Sequence, residues 1–139
     1  MATASKPGPG DNRPLSPHLL HWRWHLAMAT SIIHRLSGVA ISIGMFFLAA
    51  WFVSAAIGPD AYAAFQRVAA HPLGLVVLFG FTFAVIYHML NGIRHLCWDG
   101  GIGFGVRTVQ ATSVLVLLVS IALTALVWAA AWFYRGAAL

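Results

Sequence analysis

Two short stretches of this sequence carry residues able to do chemistry in an otherwise apolar chain. The first is Tyr87-His88-Met89-Leu90-Asn91-Gly92-Ile93-Arg94-His95-Leu96-Cys97-Trp98-Asp99. On a helix rising about 1.5 Å per residue, His88 lies about 16 Å from the polar end at Asp99. A neutral imidazole at that depth suits an axial position on haem iron, its other ring nitrogen fixed by a nearby acceptor. Gly92 falls one turn on, on the same face, where a missing side chain leaves room for a flat porphyrin. Arg94 and His95 lie nearer the surface, within reach of anionic propionates. His95 is about 10.5 Å further along the helix, too far to share one iron with His88. The second axial ligand of a single haem therefore comes from elsewhere, or else His95 serves a second haem. A packing role fits the same residues, with His88 hydrogen-bonded between helices and Gly92 a close-contact point. Position alone leaves both readings open.

The second stretch opens an earlier helix. Trp24, Met28, Ser31 and Arg35 fall at i, i+4, i+7 and i+11 and so share one stripe. His34 lies beside the stripe and Gly38 continues it. An aromatic ring, a thioether, a hydroxyl and a guanidinium on one face suit a lipophilic molecule with carbonyl oxygens, such as a quinone. Trp24 and Met28 would flank its ring, while Ser31 and Arg35 would hold its oxygen. Against this stands an interfacial Trp, a lipid-facing Met and an Arg that snorkels to the headgroups. Arg35 is about 16 Å beyond Trp24, and snorkelling over that distance is costly, which favours a functional Arg.

These residues need elements to position them, and the composition dictates which. Of 139 residues, 60% are hydrophobic and 8% charged, against roughly 45–50% and ~25% in soluble domains. So few charges cannot cover a soluble globule of this size, so the chain reads as an all-α integral membrane protein. Leu36 to Pro59, Ala69 to Ile93 and Thr108 to Tyr134 contain no Asp, Glu, Lys or Arg, and each meets the ~20-residue length needed to span a bilayer. The expected organisation is an N-terminal segment, 1–25, then a three-span anchor, 26–139, with spans near 26–57, 70–98 and 106–134. Gly58-Pro59-Asp60 and His71-Pro72 punctuate one connecting loop, and Asp99-Gly100-Gly101 marks the other. Three helices with ionisable groups inside make an incomplete bundle, so further subunits or a cofactor are expected in a heteromeric assembly.

With the N-terminus inside, Lys6, Arg13, Arg23, Arg35, Arg94 and Arg107 collect on the cytoplasmic side, leaving Arg67 and Arg135 opposite. That bias predicts a cytoplasmic N-terminus and a periplasmic C-terminus. The formal charge of +5 is scattered and forms no basic stripe for nucleic acid. A single cysteine, Cys97, excludes an intrachain disulfide and an iron–sulfur cluster held by this chain alone. No Cys-x-x-Cys-His is present, which excludes covalent haem attachment. The first fifteen residues lack an apolar core, so neither a secretory signal nor a transit peptide is expected there. Ser16-Pro17 suits the start of a short surface helix. His18, His21 and His25 have metal-like spacing but sit with Trp and Arg at the membrane surface. Asn91 is expected to satisfy a neighbouring helix, Asp99 to face water beside Arg94 or Arg107, and the third span to act as scaffold. No Ser/His/Asp triad, phosphate loop or zinc motif is visible.

Two separated motifs resemble those of the cytochrome b membrane-anchor subunit of succinate dehydrogenase, respiratory complex II. One is Arg13-Pro14-Leu15-Ser16-Pro17-His18 followed by Ser31-Ile32-Ile33-His34-Arg35-Leu36-Ser37-Gly38. The other is His88 with Gly92-Ile93-Arg94-His95-Leu96, then Trp98-Asp99 and Gly101. The resemblance covers nearly the whole chain after about residue 12. It implies a four-subunit enzyme with FAD on a flavoprotein subunit, iron–sulfur clusters on a second, and two membrane subunits that bind haem b and ubiquinone. It implies His88 as an axial ligand to the haem iron, with the other axial His on the partner membrane subunit. Ser31 and Arg35 are then quinone-binding, Trp24, Met28 and Ile32 line the pocket, and His34 with Arg35 approaches a propionate. The lack of a presequence favours the bacterial inner membrane, although an organelle-encoded or already processed chain would look similar. Two rivals remain: a haem-free structural anchor, and the equivalent subunit of a quinol:fumarate reductase.

Overall fold

The computed structural model describes residues 24–137, with side chains through Tyr134. The Arg13 to His18 motif, the surface helix expected at Ser16-Pro17, His18 and His21 lie outside the described residues. Four helices follow in order: α1 (Leu26–Ile57), α2 (Pro59–Ala70), α3 (Pro72–Asp99) and α4 (Val106–Ala137). Three of them, α1, α3 and the part of α4 from Val106 to Tyr134, are long and apolar enough to cross a membrane. The fold is an all-helical membrane bundle, as the composition requires.

The molecule is apolar outside and polar within. Phe46, Trp132 and Phe133 are more than 70% exposed, whereas Thr30, Ser37, Asn91, Arg94, Ser113, Ser120 and Thr124 are buried. Lipid tails solvate leucine as well as a protein core does, so helices in a bilayer are drawn together by close packing and interhelical hydrogen bonds instead. Helix α3 packs against both α1 and α4, and α1 also meets α4. Where α1 and α3 approach, Gly44 faces the ring of Phe81 so closely that a Cβ would overlap it. On the other side of α3, the Trp128 indole donates to Thr82 Oγ1 at 3.3 Å.

The connection between the first two spans differs from the sequence expectation. Its Gly, Pro and His punctuation reads as a loop, yet residues 59–70 form the twelve-residue helix α2. Gly58, at φ 138°, turns the chain, and Pro59 then takes the first helical position, where its missing N–H costs nothing. Asp60 in the first turn and Arg67 in the last complement the helix dipole. Pro72 opens α3 in the same way, with the His71 side chain accepting from Leu73 N at 3.3 Å. Helix α3 stops at Gly100, whose N–H bonds to Leu96 O at 3.0 Å, before a turn in which Gly101 and Gly103 hold positive φ. These boundaries fix the register in which α3 presents His88 to α1.

Candidate functional site

Helices α1 and α3 bring three histidines together. The His34 ring stacks on His88 with centroids 4.0 Å apart and planes 16° from parallel. His95 lies 5.1 Å from His34 on its other neighbour and meets Trp98 edge-on at 4.9 Å. One turn of α1 supplies the polar contacts to His88. Its Nδ1 is 3.2 Å from the His34 carbonyl oxygen and 3.0 Å from Ser37 Oγ. The Ser37 hydroxyl also donates to the His34 carbonyl at 2.7 Å. A carbonyl can only accept, so the proton of a neutral His88 belongs on Nδ1. Nε2 is then left with a bare lone pair on a half-buried ring.

Gly38 completes this contact. A Cβ there would stand 3.1 Å from His88 Cε1, tighter than ordinary packing, so the missing side chain lets the imidazole rest on α1. The sequence directs attention to Gly92 as the flat surface, but a Cβ on Gly92 would meet nothing within 4 Å. Gly92 borders open space and Gly38 touches the ring. Sequence reasoning passed over Ser37 because only the α1–α3 register reveals its proximity to His88.

These residues suit a haem. The chemistry of the donor supports it: an imidazole with Nδ1 hydrogen-bonded and Nε2 bare is the usual form of a ligating histidine. His34 adds an orphan, its buried Nδ1 having no hydrogen-bond partner, and polar atoms in that state are rare in finished interiors.

Arg94 has different surroundings from those expected near the surface. It is buried, and its guanidinium reaches into α4. Nε donates to Thr112 Oγ1 at 3.0 Å, and Nη2 donates to Ser113 Oγ at 2.8 Å and Val109 O at 3.1 Å. Nη1 donates to Asn91 Oδ1 at 3.2 Å. Four of its five N–H donors therefore serve the protein, and the guanidinium sits 4.1 Å over the Trp98 ring. Asn91 thus satisfies Arg94 on its own helix rather than a neighbouring one, and Asp99 is not among the partners of Arg94. Thr30 Oγ1 lies 3.5 Å from Ser113 Oγ, and Tyr87 donates to the Thr30 carbonyl at 2.8 Å, tying α1 to the same network.

Of the quinone candidates, Met28, Ser31, Ile32 and Arg35 lie on α1, whereas Trp24 precedes the helix, ahead of an extended His25 at its N-cap, so the helical spacing expected to join Trp24 to the stripe does not hold for it. Trp24 and Ile32 are exposed by 71% and 41%, Arg35 is exposed, and Met28 and Ser31 are half-buried. Among the described residues, neither Ser31 nor Arg35 makes a hydrogen bond or ion pair. The other hydroxyls of α1, on Thr30, Ser37, Ser42 and Ser54, each donate to a carbonyl three or four residues back. Ser31 stands apart from that local habit, one turn from an arginine with no partner of its own.

Comparison with known proteins identifies the family. Residues 10–127 match the family described as succinate dehydrogenase/fumarate reductase transmembrane subunit. The chain is 38% identical over 115 residues to the succinate dehydrogenase cytochrome b556 subunit of Paracoccus denitrificans, covering 83% of this chain and 88% of that one. It is 36% identical over 118 residues to the cytochrome b556 subunit of Rickettsia felis, covering 85% and 92%. To the mitochondrial cytochrome b560 subunit of Sus scrofa it is 38% identical over 117 residues, covering 81% and 68%. Three apolar spans, a histidine cluster between the first two and matches of this extent place the chain in the family of succinate dehydrogenase cytochrome b membrane subunits.

Proposed function

We propose that this chain binds one haem b through Nε2 of His88 and forms part of the site where ubiquinone is reduced. The observation that carries the reading is the pinning of His88 Nδ1 between the His34 carbonyl and Ser37, which leaves Nε2 as the ring's one free donor atom. His34, Arg35 and His95 would hold the propionates of the haem, and Gly92 would leave room beside it. Arg94 braces α3 beneath His95 and keeps one N–H beyond its protein partners. The haem, when bound, supplies a one-electron redox centre. A second histidine to hold the haem would come from a partner membrane subunit.

The chain's own chemistry is electrostatic. Arg35 places a fixed positive charge where negative charge develops on a quinone oxygen, and such stabilisation is strong in a water-poor site. Ser31 donates a hydrogen bond to that oxygen and orients it. Trp24, Met28 and Ile32 hold the ring against α1. Two electrons and two protons then convert quinone to quinol, and FAD and iron–sulfur clusters on partner subunits would supply those electrons from succinate. This chain anchors those subunits at a bacterial inner membrane, N-terminus in the cytoplasm and C-terminus in the periplasm.

Reduced-minus-oxidised spectra of the assembled complex, with wild-type His88 and with His88→Leu, test the reading. A b-type signal that vanishes or shifts in the variant is expected. An unchanged signal would move the ligand elsewhere, with His95 next in line, and no haem in either protein would favour the structural anchor.

A further inference from the structure

We propose that Ser37 is a positioning residue for the haem ligand: its hydroxyl accepts a hydrogen bond from Nδ1 of His88 and thereby aims the bare Nε2 and sets its basicity. The inference rests on the assignment of His88 as ligand and adds a residue and a measurable property to it.

The direction of the bonds carries the argument. A serine hydroxyl has one proton, and that of Ser37 points to the His34 carbonyl at 2.7 Å. Only its lone pairs remain for His88, 3.0 Å away. The His34 carbonyl, 3.2 Å from the same Nδ1, also accepts. The Nδ1 proton is thus shared between two acceptors on one turn of α1, both facing α3. Ser37 is 5% exposed, so water does not compete for the contact. The adjacent Gly38 removes the Cβ that would push the ring away, and His34 stacks on the ring face. The imidazole is therefore held on one face and at Nδ1, with the opposite edge left free.

An acceptor at Nδ1 raises the electron donation of a ligating imidazole, and hydrogen bonding around the ligand is one of the levers on haem potential. Donation favours oxidised iron. Removing the Ser37 acceptor leaves Nδ1 with the longer carbonyl bond alone, which weakens donation and moves the potential upward.

The test is redox potentiometry of the b haem in the assembled complex for wild type, Ser37→Ala and Ser37→Thr, with haem content measured in each. Ser37→Ala is expected to keep the haem and to shift the reduction equilibrium several-fold toward the reduced form, up to about 59 mV for a tenfold change. Ser37→Thr, which retains the hydroxyl, is expected to stay near wild type. Haem loss in the Ala variant with retention in the Thr variant also supports the proposal, since the ring is then no longer held. An unchanged potential in Ser37→Ala overturns it, as does an equal shift or equal haem loss in both variants, because neither outcome follows the hydroxyl. His88→Leu run alongside separates the two levels. A haem that survives it unaltered refutes the ligand assignment, whereas loss there with no change in Ser37→Ala refutes the role of Ser37 alone.

Discussion

Arg35 and Arg94 both sit within membrane-spanning helices, and their surroundings are opposite. Arg94, 6% exposed, is enclosed by four hydrogen bonds, three to groups on α4 and one to Asn91. Arg35 is exposed on α1 and has no partner among the described residues. A charge inside a bilayer is expensive unless paired or hydrated, so each arginine has to be provided for. The chain provides for Arg94 by itself, through hydroxyls and a carbonyl. Among the described residues nothing provides for Arg35; under the proposed function it meets a quinone, a propionate or a neighbouring subunit. The α3–α4 seam thus closes around Arg94, leaving Asn91 Nδ2 as a buried polar atom without a partner among the described residues, and under the proposed function the α1 stripe is a surface open for completion.

The largest effect expected from breaking this contrast is at Arg35. Arg35→Ala should lower succinate:quinone activity about 100-fold or more, the usual cost of losing one preorganised charge-stabilising donor. Succinate oxidation by a soluble dye acceptor should persist and the complex should stay assembled. Retained quinone reduction would end the functional reading of the stripe. Arg94→Ala should do the reverse. Four hydrogen bonds at about 0.6 kcal/mol each inside a membrane predict a loss of about 2 kcal/mol. Thermal denaturation of the solubilised complex should occur at lower temperature, and residual quinone activity per assembled complex should remain close to wild type. Arg94→Lys should rescue little, since an ammonium cannot reproduce the planar fork that reaches Asn91, Thr112 and Ser113 together. Wild-type stability in either variant would show that the seam does not depend on this residue.

Ser31→Ala sharpens the contrast at lower amplitude. One hydrogen bond to substrate is worth about 1 kcal/mol, so quinone turnover should fall roughly fivefold, with no change in thermal stability because Ser31 has no hydrogen-bond partner among the described residues. A stability loss without a kinetic one would move Ser31 into the scaffold.

The sequence made the three spans legible because length and the absence of charge suffice to identify a membrane helix, and depth in the span and helical spacing singled out His88, Ser31 and Arg35 before the resemblance gave them roles. It was less informative wherever an answer depends on which helix faces which. The contact of Ser37 with His88 exists only in the α1–α3 register, and no periodicity announces it. Arg94 inside a span reads as functional by default, and its partners on α4, Thr112, Ser113 and the Val109 carbonyl, carry no acidic signature that would have revealed a structural role. Helix α2 was hidden for a different reason. Gly58, Pro59 and Asp60 serve a turn and a helix start equally well, and only the alanine-rich residues after them decide for the helix.

Tyr87 is the place where scaffold and site come closest, which gives the smallest predicted effect its use. The side chain is fully buried and donates to the Thr30 carbonyl at 2.8 Å, while the next residue, His88, turns to His34 and Ser37. Adjacent positions on a helix diverge in direction, so the two contacts join α3 to different parts of α1. Tyr87→Phe keeps the ring and its packing and deletes one hydrogen bond, for a stability loss of about 0.6 kcal/mol by the average for such bonds in membranes. The expected result is a small fall in thermal denaturation temperature with haem spectrum, haem potential and quinone activity unchanged. If the potential moved as far as in Ser37→Ala, the orientation of His88 would depend on the whole α1–α3 contact rather than on one turn of α1, and the division between a self-sufficient seam and a site open for completion would no longer hold at its boundary.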